Sequence, residues 1–239
     1  MRYATWAAVV CLSAGCMTFP STPPVWPPLP PDAAAGVCCI FALDHDNVWI
    51  GGDFHDFAAT LYSTMYHTSD GGKSWQRVGP ALENSTIATI FFLDTKTGWA
   101  AGAWTTESAG DPFVLRTTDG GKTWAQTMVP VEPRLTPLFV PTSLVFATRK
   151  IGILRMSGCS AEDEQSVWVT RNGGKSWAFS CGQKDETGPC NALSITKDGT
   201  LWKLDEQDIL VSTDNGSSWK KAETHPVRTE RPRHRRCSP

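Results

Sequence analysis

A chain of 239 residues with 41% hydrophobic and 19% charged residues is long enough to bury a sizeable core. Its formal net charge of -2 excludes the overall basic surplus that marks many nucleic-acid binders. The 11 Trp and 20 Gly beside 3 Tyr, with frequent Pro and few uninterrupted helical patterns, point to an all-β chain whose aromatic packing is repeated unit by unit.

The N-terminus carries one basic residue, Arg2, then an apolar run over 3–12 that ends in Ser13-Ala14-Gly15-Cys16, the pattern of an export signal. Small residues before a Cys resemble a bacterial lipobox, although Ser13 stands where Leu is usual. That resemblance implies cleavage before Cys16 and a lipid on its thiol, so residues 1–16 are expected to be a signal or lipoprotein signal peptide. A plain cleaved signal and an uncleaved anchor are the alternatives, and the run is shorter than the roughly 20 residues a spanning helix needs. Met17 after the Cys resembles the outer-membrane sorting default where two membranes exist. Residues 17–35 read as a linker, because 20–31 holds seven prolines. Such a segment forms a polyproline-II spacer of roughly 35 to 40 Å.

The body, 36–224, is organised by an eight-residue pattern met four times: TSDGGKSW at 68–75, TTDGGKTW at 117–124, TRNGGKSW at 170–177 and STDNGSSW at 212–219. Asp70, Asp119, Asn172 and Asp214 can accept backbone N–H bonds across a turn, a Gly supplies the positive φ, and Trp75, Trp124, Trp177 and Trp219 start the next strand. Units are expected at about 37–80, 87–130, 142–182 and 190–224, each of four strands. The first would be 38–43, 47–52, 63–69 and 74–79; the second 88–94, 98–103, 112–118 and 123–129. The third would be 143–149, 151–157, 166–171 and 176–181, and the fourth 191–197, 200–205, 208–213 and 218–223. A second signature keeps the register: NVWIGG at 47–52, TGWAAG at 97–102 and GTLWKL at 199–204, with Gly152-Ile153 in the corresponding place.

The eight-residue pattern resembles the Asp-box, or bacterial neuraminidase repeat, which joins the third and fourth strands of a β-propeller blade. Paired with the Gly-Trp-x-x-Gly strand, it resembles the propellers of photosystem II assembly factors and their bacterial relatives over about 190 residues. The fold implied is an all-β, propeller-like array of four four-stranded antiparallel blades with Asp-box turns. The four box tryptophans, with Trp49, Trp99 and Trp202, are expected in the core. Trp168 is expected to pack within its own unit, and Trp104, which runs directly into a loop, is a candidate ligand contact. Each unit reads as complete, with no split blade to clasp a ring, so an open arc would expose two edges and invite self-association.

In an oxidising compartment several of the cysteines should pair, and a Cys159–Cys181 bridge is favoured. Cys38 and Cys39, adjacent on a strand, should point to opposite faces as small apolar residues. Asp44-His45-Asp46 and Asp53-Phe54-His55-Asp56 carry metal-ligand types, but the strand between them argues for solvated loops, and no metal or cofactor is expected. Sialidases resemble one another in an Arg-Ile-Pro segment, three arginines and a Tyr–Glu pair. Here Pro133-Arg134-Leu135 is a poor stand-in, and Tyr62 and Tyr66 are the tyrosines outside the signal. No catalytic residue is assigned, with a sialidase-like glycan-binding or glycoside hydrolase relative as the alternative.

Loops after each second strand and the connections between units share one face and gather acidic residues, among them Glu162, Asp163, Glu164, Asp185 and Glu186. A one-signed face can steer a cationic partner, so these five and Trp104 are the candidate partner-binding residues. Residues 225–239 invert the sign with Arg228, Arg231, Arg233, Arg235 and Arg236 and are expected to form a disordered tail. The sequence thus predicts a non-catalytic, surface-tethered module for protein binding or assembly, exported to the cell envelope. Its partner is an unidentified envelope protein, cationic where it meets this face.

Overall fold

The computed structural model describes residues 17–18, 35–55, 60–105, 111–131, 139–158, 165–182, 193–205 and 208–222. Cys16 and residues 225–239 lie outside them. The strands are β1 (Met17–Thr18), β2 (Ala35–Ala42), β3 (Val48–His55), β4 (Leu61–Thr68), β5 (Gln76–Val78), β6 (Ser85–Phe92), β7 (Gly98–Trp104), β8 (Pro112–Thr117) and β9 (Ala125–Met128). They continue as β10 (Phe139–Phe146), β11 (Gly152–Gly158), β12 (Gln165–Thr170), β13 (Ala178–Gly182), β14 (Leu193–Ile195), β15 (Leu201–Asp205), β16 (Asp208–Ser212) and β17 (Lys220–Lys221). Each run of four from β2 to β17 is an antiparallel meander, giving four successive four-stranded sheets in a β-propeller-like array. The expected strands recur within a few residues. One difference falls in the expected linker, where Met17 and Thr18 pair with Gln126 and Ala125 and add a fifth, edge strand to the second sheet.

The turn chemistry of the four repeats is the same in each sheet. The hydroxyls of Thr68, Thr117, Thr170 and Ser212 accept the N–H of Gly72, Gly121, Gly174 and Gly216 at 2.8–2.9 Å. Oδ1 of Asp70, Asp119, Asn172 and Asp214 accepts the N–H four residues on at 2.9–3.0 Å. Two successive residues take positive φ, Gly120 at 80° and Gly121 at 90° in the second turn. In the fourth, Asn215 stands in the first of these places at 66°, which Asn tolerates better than most residues. The turn then docks on the first hairpin of its own sheet, the Gly120 N–H donating to the Lys96 carbonyl at 2.9 Å.

A recurrent bulge shapes the first strand of three sheets, with Cys38, Ala88 and Thr142 as the extra residues. It brings backbone so close to the second strand that a Cβ at Gly102 would lie 2.0 Å from the Thr86 carbonyl oxygen. This explains the Gly that closes the NVWIGG and TGWAAG signatures. The bulge also corrects the expectation for the adjacent cysteines. Cys38 and Cys39 both approach the second sheet, with Sγ 3.9 Å from the Thr86 hydroxyl and 3.7 Å from the Ile87 carbonyl, and Cys38 is exposed.

Among the described residues three buried clusters hold the sheets together, one at each junction between successive sheets. Trp49 of the first sheet stacks on Phe92 of the second at 3.8 Å, and Trp99 stacks on Phe146 of the third at 3.5 Å. The repeat tryptophan of each of the last three sheets enters the junction with the sheet before it: Trp124 meets Phe92 edge-on, Trp177 meets Phe146 likewise, and Trp219 packs on the third sheet's cluster. Trp168 packs within its own unit as expected, its ring edge-on to Phe179 at 5.4 Å, and also reaches the second sheet's exit, its Nε1–H donating to the Pro130 carbonyl at 3.2 Å. No buried cluster joins the fourth sheet to the first among the described residues.

Candidate functional site

Antiparallel order sorts the connections to two ends. One end holds the first hairpin turns and the four repeat turns. The opposite end holds the loops between second and third strands and the connections between sheets, which is where the acidic residues were expected to gather. Glu162, Asp163, Glu164, Asp185 and Glu186 lie outside the described residues, as does Cys159 and with it the expected bridge to Cys181. The described part of that end carries Asp53, Glu83, Asp111 and Asp208. Asp208 is paired to Lys221 at 2.6 Å. The connection after the first sheet is tied down: the Ser63 N–H donates to Leu82 and the Asn84 N–H to Leu61.

Trp104 closes β7 at this end. Its ring leans on Phe113 at 5.6 Å, half-buried against the cluster between the first two sheets, and its backbone N–H donates to the Asp111 carbonyl at 3.2 Å. The side chain is thus largely committed to packing and leaves a partial edge toward the loop.

The repeat-turn end is rich in carboxylates, but they are engaged. The Ser74 hydroxyl and amide, then the Thr68 hydroxyl, hold Asp70 down to about 2, and the equivalent bonds from Ser218 and Ser212 hold Asp214 there. For Asp119, burial raises the pKa, and the bonds from Thr123 and Thr117 outweigh it. Asp94 is likewise pushed up by burial and brought to about 2 by the amides of Lys96 and Thr97 and by Arg149, which it meets at 2.9 Å across the second and third sheets. Arg171 makes the next such bridge, donating to the Asn215 side chain and the Gly199 carbonyl. Asp44 accepts the amides of Asp46 and Asn47, while Asp53 and His55 sit toward the far end of β3. Among the described residues no group of three or more His, Cys, Asp or Glu could hold a metal.

Two of the seven tryptophans expected in the core are exposed, and a third, Trp219, is half-buried. Trp75 is 41% exposed and Trp202 is 39% exposed. Each lies on the outward face of the first or last sheet, which no other sheet covers among the described residues. Around Trp202 the surface forms a shallow groove lined by Arg155, Leu193, Leu204 and Ile209. On the first sheet Val37 and Ile40 are exposed, as Trp75 is. These two apolar faces are what the sequence reading missed. Its repeat register held the clue, since a junction residue in a terminal unit has no partner sheet.

No protein-family model matches the chain, and no curated protein does. Solved structures similar to it include YCF48 from Cyanidioschyzon merolae, at 17% identity and a TM-score of 0.42, over 90% of this chain and 62% of that one. A structure of YCF48 bound to D1 peptide aligns at 19% identity and a TM-score of 0.33, over 86% of this chain and 70% of that one. Trypanosoma rangeli sialidase, in complex with 2,3-difluorosialic acid, aligns at 11% identity and a TM-score of 0.42, over 73% of this chain and 28% of that one. The chain therefore spans less than two thirds of the first of these proteins and under a third of the sialidase. Likenesses this distant leave activity open, and the propeller-like reading rests on the four sheets and their junctions.

Proposed function

We propose that this chain is a non-catalytic Asp-box propeller module that binds a protein partner in the cell envelope, tethered through a lipid on Cys16 and held off the membrane by the Pro-rich segment. The observation that carries this reading is the division of labour between the two ends. The repeat residues that would attract a catalytic interpretation, Asp70, Asp119, Asn172 and Asp214, are spent on turn amides and hydroxyls. The opposite end collects the loops, and in the sequence Glu162, Asp163, Glu164, Asp185 and Glu186 fall in segments that connect strands at that end. A concentration of one sign on loops borne by a rigid scaffold suits recognition of a cationic segment. YCF48 has been solved with a bound peptide, which is consistent with this class of function.

The test is capture from detergent-solubilised envelope, using the full chain beside a form in which the five acids are changed to Asn or Gln. A protein retained by the wild type and lost by the neutralised form supports the proposal. Turnover of a generic sialoside that Tyr62→Phe or Tyr66→Phe abolishes would replace it with the glycosidase alternative.

A further inference from the structure

The three internal junctions obey one positional rule. The second strand of each sheet presents an apolar residue, Trp49, Trp99 or Ile153, to the next sheet, whose first strand answers with Ile90, Leu144 or Leu193. The repeat turn of the receiving sheet completes the contact: its Trp fills the junction, and its carbonyl takes a hydrogen bond where Trp99 Nε1–H donates to Gly173 at 2.9 Å. All six strand residues are buried.

The same positions are filled with apolar residues on the first and fourth sheets, where no neighbouring sheet is present among the described residues. On the first sheet Ile40 stands in the place of Ile90 and is 70% exposed, Val37 in the place of the buried Ile87 and is 64% exposed, and Trp75 in the place of Trp124. On the fourth sheet Trp202 stands in the place of Trp99, and Leu204, 52% exposed, in the place of the buried Ala101. One terminal sheet is thus the giving half of a junction and the other is the receiving half.

We propose that a second copy of this chain completes these junctions, the fourth sheet of each copy seating Trp202 and Leu204 on Val37, Ile40 and Trp75 of the other. Two details favour a second copy over an unrelated partner. Where two internal junctions place Phe92 over Gly98 and Phe146 over Gly152, the first sheet pairs Ala42 with Val48, so no phenyl ring occupies the position that an indole from the other copy would approach. Charge also matches. The second and third sheets are bridged at their first hairpins by Asp94 and Arg149, and at the corresponding turns the fourth sheet offers Lys197 while the first offers the His45–Asp46 pair. The contact is head to tail, and two such contacts related by a twofold axis close a ring of eight sheets, within the size range of propellers. Three copies would give twelve. The contact uses sheet faces and leaves the acidic loop end free, so it stands or falls apart from the function proposed above.

Sedimentation equilibrium of the full chain from about 1 to 100 µM tests this. The expected result is a dimer that Ile40→Lys and Trp202→Lys each weaken by about 30-fold or more, the effect of losing a central interface residue. Both side chains are exposed in the single chain, so circular dichroism should be unchanged. Should a lysine variant fail to fold, Ile40→Thr and Trp202→Ser carry the same expectation. Mixing the two lysine variants should restore association between them, because one junction in the mixed pair keeps both native halves. A wild type that stays monomeric to 100 µM overturns the proposal. So does a dimer that only one of the two substitutions weakens, which would indicate like faces meeting.

Discussion

Trp49 and Phe92 stack at 3.8 Å with their ring planes 12° from parallel, across the boundary between the first and second sheets. Because the same contact returns as Trp99 on Phe146, the tryptophans of this chain hold sheet to sheet and stabilise each blade mainly through its neighbour. The stability of the array then resides at the junctions, and position within the array decides what a given Trp contributes.

Substituting equivalent tryptophans should therefore have unequal effects. Trp99→Ala removes a buried ring and an indole hydrogen bond and should cost about 3 to 5 kcal/mol. Trp202→Ala, at the corresponding position of the fourth sheet, should change the stability of the dilute chain by about 0.5 kcal/mol or less. Urea denaturation at submicromolar concentration compares the two.

The repeat turns should tolerate an amide better than an apolar residue. Asn172 already makes the bonds that Asp119 makes, accepting the amide four residues on and engaging the neighbouring hydroxyl. Asp119→Asn should be mild, while Asp119→Ala, which strands the Thr123 amide and the Thr117 hydroxyl, should cost about 1 to 3 kcal/mol. Thermal melts of the two variants distinguish a hydrogen-bonding role from a charge role.

Acid should destabilise the fold in two stages. His67, stacked on Trp49 at 4.1 Å, has its pKa lowered by burial, so the stability tied to its neutral form is present above about 6.5 and lost as pH falls below that. Asp70, Asp94 and Asp214 are each held at about 2 against an unfolded value of about 3.9, so their contribution is complete above about 4 and disappears as pH falls toward 2. Urea midpoints measured from pH 7 to 2 should show a small early decline and a larger late one.

The adjacent cysteines should differ in reactivity. Burial, with a further push from Cys38, raises the Cys39 thiol to about 12, whereas Cys38 is exposed. Iodoacetamide at pH 8 followed by peptide mapping should show Cys38 modified in the folded protein and Cys39 only after unfolding.

Anchoring is independent of the fold. If Cys16 carries lipid, Cys16→Ser should move the protein from the membrane fraction to the soluble one.

Strand order and turn chemistry were legible in the sequence because each depends on residues close together in the chain. Thr117, Asp119 and Gly121 meet within one turn, and alternation around Trp99 sets its register. The junctions were only half legible. Periodicity marks Trp75 and Trp202 as equivalents of buried residues, but their exposure depends on which sheets stand on either side, a property no local window contains. The bulge at Cys38 was likewise hidden, since one extra residue against β3 redirects a side chain without leaving a compositional mark. The acidic end could be located from topology, while its five named acids lie beyond the described residues.

The central claim, that the loop end recognises a cationic partner segment, is tested most directly by the salt dependence of binding to the captured envelope protein. Association of wild type and of the chain with Glu162, Asp163, Glu164, Asp185 and Glu186 neutralised should be compared at low and high salt. Exposed charges are screened over about 8 Å at physiological ionic strength, so the wild type should associate faster at low salt and lose that advantage as salt rises. The neutralised form should show a flatter slope and about tenfold weaker affinity, equivalent to roughly 1.4 kcal/mol. Equal affinities and equal slopes for the two proteins would contradict the claim.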